Sequence, residues 1–226
     1  MKLSIIIPVF NEKNTILEVI AAAKGTDYDK EIIVVDDCST DGTREILKDL
    51  RLEGVKLLYH DKNRGKGAAI KTALKETSGD VVIIQDADLE YSVDDYPQLL
   101  KPIISNKADV VFGSRFIGGP RRVMYFWHQL GNFFVNFLVD ILYDTTLTDL
   151  ETGYKVFKKG ILEELNIQSE GFDFEVEVTV KILKKKYRFF ESPISYAGRT
   201  YAEGKKITWQ EGLRAIFILL KYKFFG

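Results

Sequence analysis

Short, nearly unbroken apolar runs recur through the first half of the chain, and they constrain its fold more than any other feature. Leu3–Val9, Glu31–Asp36, Val55–Tyr59, Val81–Gln85 and Asp109–Gly113 read as strands. Between them Thr15–Lys24, a stretch from a Ser39, Thr40 or Asp41 cap to about Leu52, Gly65–Glu76 and Asp94–Ser105 read as helices. A strand apolar along its whole length is buried on both faces. Such strands joined by helices predict an α/β protein whose parallel sheet is covered on both sides. Ligands of these sheets bind outside the carboxyl ends of the strands. Here those ends are Asn11-Glu12, Asp36-Asp37, Asp86-Ala87-Asp88 and Ser114-Arg115.

The pattern changes after Phe116. A loop at Gly118–Arg122 leads to an aromatic, helix-like stretch from Met124 to about Tyr143. A strand near Tyr154–Phe157, a helix over Phe174–Lys186, a strand over Arg188–Ser192 and a last helix from Thr208 to about Tyr222 follow. No repeat or linker divides the chain, so its 226 residues are expected to form one domain. With 46% apolar and 29% charged residues it is neither disordered nor fibrous. A net charge of −1 gives no reason to expect nucleic acid. The single cysteine, Cys38, and the lack of a signal-like opening fit a cytoplasmic protein. No apolar run of spanning length occurs.

The chemistry is concentrated at Asp86-Ala87-Asp88. Residues two apart in extended chain face the same way, so both carboxylates can enter one site. Buried together they repel, and a divalent cation removes that penalty. Mg²⁺ or Mn²⁺ suits oxygen ligands shared with substrate phosphates. Glu90, two residues on, is a third candidate ligand. Asp37 can accept hydrogen bonds from a ribose or a base, while Asp41 reads as a turn or cap residue. Asn63-Arg64-Gly65-Lys66-Gly67 precedes a helix and can offer amides and a cation to phosphate. It matches neither the phosphate-binding loop nor the dinucleotide fingerprint. Arg115, Arg121, Arg199, Lys205 and Lys206 fall in loops, where cationic groups, guanidinium above all, suit phosphate, whereas Arg122 among them reads as solvated surface charge.

The segments Ser4–Glu12, Glu31–Asp37, Asn63–Ala68, Asp86–Glu90, Gly113–Phe116, Thr148–Lys155 and Gly198–Thr200 occur in one order over nearly the whole chain. As a set they resemble the family 2 glycosyltransferases of GT-A fold, in particular the dolichyl- and polyprenyl-phosphate sugar transferases, the group that includes dolichol-phosphate mannose synthase. The resemblance implies a mostly parallel sheet and an inverting, metal-dependent transfer of a hexose. The donor is a nucleotide-diphosphate sugar of the GDP-mannose or UDP-glucose type, and the acceptor a polyprenyl or dolichyl phosphate. It implies a nucleotide-sugar half at 1–115, an acceptor-side half at 116–206 and a C-terminal amphipathic helix at 207–226. Pro8, Phe10, Asn11, Glu12, Val35 and Asp37 would line the nucleoside side, with Lys66, Ala87, Arg115, Arg199 and Lys205 on the rest of the donor. Asp86 and Asp88 would hold the metal, with Glu90 where relatives often carry Gln.

A phosphate acceptor is already anionic and needs positioning. A hydroxyl acceptor in glycan synthesis, the alternative, needs a base, first Asp149 and then Glu151. In the final helix Leu213, Ile216, Phe217, Leu220 and Phe224 recur at helical spacing among Arg214, Lys221 and Lys223. That face suits peripheral contact with the cytoplasmic face of an anionic membrane, packing on the domain, or pairing with a second copy. A sugar nucleotidyltransferase would carry a basic Gly-rich loop where Pro8–Glu12 stands, and a non-catalytic binding protein would not need Asp86, Asp88, Arg115 and Asp149 together.

Overall fold

Alternate residues of β1 (Leu3–Val9) point to opposite faces of the sheet, so Ile5-Ile6-Ile7 must be covered from both sides. The computed structural model describes residues 1–51, 53–123, 125–171, 173–200, 203 and 209–225. In it Ile5 and Ile7 share a core with Val19 and Ile20 of α1 (Ile16–Gly25) and with Leu99 and Ile103 of α4 (Tyr96–Ile104). Ile6 faces the other way, into a core with Ala69 and Ile70 of α3 (Lys66–Leu74) and Phe174 and Val178 of α7 (Phe174–Lys185).

Seven strands form one sheet in the order β3 (Val55–Tyr59), β2 (Lys30–Asp36), β1, β4 (Val81–Ile84), β6 (Lys155–Lys158), β5 (Val110–Ser114), β7 (Phe189–Pro193). The chain winds outward from β1 through β2 to β3, then restarts on the other side of β1 with β4, making β1/β4 a topological switch point. The expected parallel pairing holds except at β6, which is antiparallel to β4 and β5. Its register sets Lys155 beside Ile84 and Lys158 beside Val81. The residues that enter β6, Glu151 to Tyr154, therefore arrive at the carboxyl end of β4.

Helix α2 (Thr43–Asp49) is shorter than its expected span. None of the three expected residues takes the cap position, which falls to Gly42 in a left-handed conformation (φ 105°); Asp41, just before it, accepts from the Thr43 amide at 3.0 Å and its hydroxyl at 2.6 Å and so shapes the turn into the helix. A short helix, α6 (Ile161–Leu165), was not anticipated; five residues are too few to display a period, yet it buries Ile161, Leu162 and Leu165. A third core joins Val135 and Val139 of α5 (Phe126–Tyr143), Val176 and Val180 of α7, and Ala215, Ile218 and Leu219 of α8 (Trp209–Phe225). Among the described residues no helix is long and apolar enough to cross a membrane.

Glu31, at the amino-terminal edge of β2, ties three segments together. It accepts from Ser4 Oγ at 2.6 Å, the Ser78 amide at 2.5 Å, the Gly79 amide at 3.1 Å and Lys2 Nζ at 3.2 Å. Partial burial pushes its carboxyl up, but the bonds from Ser4, Ser78 and Lys2 outweigh this and hold it down to about 2. A depressed acid contributes stability above its unfolded value of 4.5 and loses it as pH falls through about 2. Glu31→Gln is expected to cost roughly 1–2 kcal/mol at about pH 7, discounted for partial exposure. Urea melts should show the gap closing below about pH 4; a gap independent of pH would refute the carboxylate's role.

Candidate active site

A cavity of about 740 Å³ opens at the β1/β4 switch point. Its wall takes Pro8, Phe10 and Glu12 from the end of β1, and Asp86, Ala87, Asp88 and Glu90 from the end of β4. Asp37, Lys66, Arg115, Glu151 and Arg199 complete the expected residues found there. Two expected donor contacts are not among its lining residues. Asn11 has a left-handed backbone (φ 54°), its amide donating to Ser39 Oγ at 2.9 Å and its Oδ1 accepting from the Thr40 amide at 2.8 Å. Val35 is wholly buried in the core beside Ile33 and Ile70. Lys205, and with it Lys206, lies outside the described residues.

Asp86 and Asp88 share the cavity but not the same surroundings. Asp86 Oδ1 is 2.7 Å from Lys66 Nζ. The antiparallel entry to β6 passes so close that a side-chain carbon at Gly153 would collide with the Asp86 carboxylate. Among the described residues the Asp88 carboxylate has no ion pair of this kind; its Oδ1 accepts from the Glu90 amide at 3.1 Å. Burial first, then the charges of Asp86 and Glu90, push it up to about 7. Crowding of this kind is what a divalent cation beside the two acids would relieve.

The expected third ligand is committed elsewhere. Glu90 accepts from Tyr196 OH at 2.8 Å and from the Arg199 amide at 2.6 Å. Among the described residues no group of three His, Cys, Asp or Glu side chains is arranged to hold a metal. Asp86 and Asp88 still fit Mg²⁺ or Mn²⁺ as a two-carboxylate site, because these ions commonly take few protein ligands and fill the rest with phosphate oxygens and water.

Several cations expected to meet phosphate already have partners. Arg199 forks onto Glu12, with Nη1 at 3.1 Å and Nη2 at 2.8 Å, and Nη2 also donates to the Asp88 carbonyl at 2.6 Å. It fastens the end of β1 to the end of β4. Arg115 is buried and forks onto Asp149, both bonds at 2.7 Å. Asp149 is fully buried behind Arg115 and is not among the lining residues, whereas Glu151 is. The base role assigned first to Asp149 therefore has no access to the cavity. Asp37 accepts from the amides of Arg64 at 2.9 Å and Gly65 at 2.6 Å and from His60 Nδ1 at 2.6 Å. It shapes the loop before α3 as well as the nucleoside wall.

Sequence reasoning missed Glu175, which lines the cavity 2.9 Å from Lys66. Burial alone would lower the Lys66 ammonium, but Asp86 and Glu175 outweigh it and hold it above the usual lysine range. The available signal was Lys155, a lysine inside an apolar strand, which needs a buried acid somewhere in the fold. Tyr91 and Tyr196 were missed as well; they line the wall behind Glu90 with their rings 5.4 Å apart.

The family model of glycosyl transferase family 2 matches residues 4–166. The chain is 32% identical over 235 residues to a dolichol-phosphate mannosyltransferase of Pyrococcus furiosus, across 99% of this chain and 65% of that protein's length. It is 30% identical over 240 residues to a UDP-N-acetylglucosamine–dolichyl-phosphate N-acetylglucosaminyltransferase of Methanococcus voltae, across 97% of this chain and 95% of the relative. The fold is shared with glucosyl-3-phosphoglycerate synthase from Mycobacterium tuberculosis, solved with Mn²⁺, UDP and phosphoglyceric acid. The TM-score is 0.76 at 19% identity, covering 100% of this chain and 79% of that one. The mixed α/β sheet is thus the GT-A fold.

Asp88 and Asp149 should respond oppositely to neutralisation. A raised acid costs stability once ionised, so the cost grows as pH climbs from about 4 to about 7. Asp88→Asn should melt higher than the parent at about pH 8 in chelator, and Mn²⁺ should stabilise the parent alone. Asp149→Asn strands a buried Arg115 and should cost about 3 kcal/mol. Thermal melts of the three proteins check this; a destabilised Asp88→Asn would contradict the strain assigned to that residue.

Proposed function

The chain belongs to glycosyl transferase family 2, and on that premise we propose that it transfers a hexose from a nucleotide-diphosphate sugar to a polyprenyl or dolichyl phosphate. The observation that carries this reading is the convergence of Asp86, Asp88 and Lys66 on one cavity at the sheet's switch point. The nucleoside lies against Pro8, Phe10 and Asp37, and Lys66 faces the diphosphate. Asp86 and Asp88 are the residues that would hold Mg²⁺ or Mn²⁺, and an ion bound there supplies positive charge to the departing nucleotide diphosphate. The acceptor oxygen displaces that diphosphate at the anomeric carbon, with inversion.

Arg115, its charge kept in place by Asp149, faces the acceptor side of the cavity beside Glu151. An acceptor phosphate attacks as an anion, so positioning rather than deprotonation is what these residues supply. Glu151, not Asp149, is the group available to act as a base if the acceptor is a hydroxyl.

A lipid acceptor also accounts for an unusual surface. Helix α5 exposes Phe126 (68%), Trp127 (76%) and Phe133 (67%), and the adjoining α8 exposes Phe217, Leu220 and Phe224 while burying Ala215, Ile218 and Leu219. A helix that packs on the domain with one face and presents aromatic rings and Lys221 with the other is built for an anionic bilayer surface. The protein would then work peripherally on the cytoplasmic face of a membrane.

Incubation with Mn²⁺, polyprenyl phosphate and, in turn, GDP-mannose, UDP-glucose and UDP-N-acetylglucosamine should yield a lipid-linked sugar from one donor. Asp88→Asn should cut turnover at least about 100-fold, and Glu151→Gln should change it by less than about tenfold. A loss in Glu151→Gln as deep as in Asp88→Asn would favour a hydroxyl acceptor. Absence of lipid product with every donor would overturn the acceptor. Trp127→Asp/Phe133→Asp should remain in the supernatant with anionic vesicles that sediment the parent; equal partition, or loss of a dimer by light scattering, would replace the membrane with a second copy.

A further inference from the structure

Glu175 stands in the first turn of α7 between two ammonium groups, Lys66 Nζ at 2.9 Å and Lys155 Nζ at 2.6 Å. Lys155 is fully buried on β6, over the ring of Phe112 at 4.4 Å, and donates to the carbonyls of Leu150 and Thr152. With Lys66 on Asp86, the four side chains form a line of alternating charge, Asp86–Lys66–Glu175–Lys155, from the cavity wall into the sheet.

Stability does not explain this line. A buried ion pair seldom improves on apolar side chains of the same volume, and Lys155 lies over Phe112, a member of the core that also holds Phe157 and Phe174. Position does explain it. Asp86 is one of the two acids offered to a divalent ion, and an ion there competes with Lys66 for the same carboxylate and repels the ammonium. Glu175 grips that ammonium from the opposite side, and Lys155, 2.6 Å from its other carboxylate oxygen, holds Glu175 in place.

We propose that Glu175 is a positioning residue which, braced by Lys155, retains Lys66 on the cavity wall to meet the nucleotide diphosphate when Asp86 turns to the metal. This rests on the donor reading given above. An ammonium has three donors, so one held by Glu175 still has others for phosphate oxygens. The residue acts through Lys66, and its removal should weaken the diphosphate while leaving the nucleoside contacts alone.

The test uses the full chain with Mn²⁺ and compares UDP and GDP with uridine and guanosine by calorimetry and ligand-observed NMR. Glu175→Gln alone leaves Lys155 buried without a counter-charge and is prone to unfold. Two other variants avoid this. Glu175→Gln/Lys155→Met removes both charges together, and Glu175→Asp keeps the charge while shortening its reach toward Lys66. Both should melt close to the parent, bind the nucleoside as the parent does, and bind the matching diphosphate about tenfold more weakly. Parental diphosphate affinity in either variant, or an equal loss for nucleoside and diphosphate, overturns the role of Glu175. A parent that binds neither UDP nor GDP sinks the donor reading itself, and this inference with it.

Discussion

The pairing of β4 with β1 on one side and with the antiparallel β6 on the other governs what happens at the cavity. The first contact brings the ends of β1 and β4 together at a switch point, where such a sheet opens a crevice. The second runs the later half of the chain back across the sheet, so that Glu151 and Gly153 reach the cavity from a distance in sequence. A parallel β6 would deliver its entry loop to the opposite edge, and Arg115 would lose Asp149. The wall of the cavity thus draws on both halves of the chain, joined by one strand of reversed direction.

Charge is the second constraint, and it is distributed unevenly. Arg115–Asp149 and Arg199–Glu12 are closed pairs, each guanidinium already matched by its carboxylate. Asp88 is crowded by acids instead, and pays in a raised affinity for a proton. Closed pairs lose little when substrate arrives, because their partners are already in place. A crowded carboxylate gains whatever positive charge enters beside it. The same site therefore combines fixed walls with one strained group, which is the arrangement that lets binding energy be realised where charge must be neutralised.

Much of this was legible in the sequence, for identifiable reasons. β1 falls on its expected residues because a long apolar run leaves little choice of boundary, and the shorter β3 does so between Gly54 and the polar His60-Asp61. Asp86-Ala87-Asp88 follows β4 and lines the cavity, the position that the carboxyl end of a strand in such a sheet predicts. Partner choice was not legible. Arg199 and Glu12 are far apart in sequence, as are Arg115 and Asp149, so nothing local distinguishes a phosphate-binding arginine from one that staples two strands. Asn11 shows the same limit: its polar side chain in a loop at a strand end suggests a ligand contact, but a left-handed backbone turns it onto Ser39 and Thr40. The direction of β6 could not be read either, because four residues of strand carry no marker of polarity.

The exposed rings of α5 and α8 follow from the same division of the chain. Helix α7 faces the sheet with Phe174 and Val178 and faces α5 and α8 with Val176 and Val180, so it is consumed on both sides. α5 and α8 lie beyond it and have only one core to join. Their outward faces are then left to composition, and a helix with no task there would carry charged residues. Instead α5 places Phe126, Trp127, Phe133 and Phe137 outward. Apolar exposure on this scale is costly for a chain in water, and it is sustained where an apolar phase or another surface covers it. Under the proposed function that surface would seat the apolar tail of a lipid-phosphate acceptor, on the half of the chain that supplies Glu151 and Asp149.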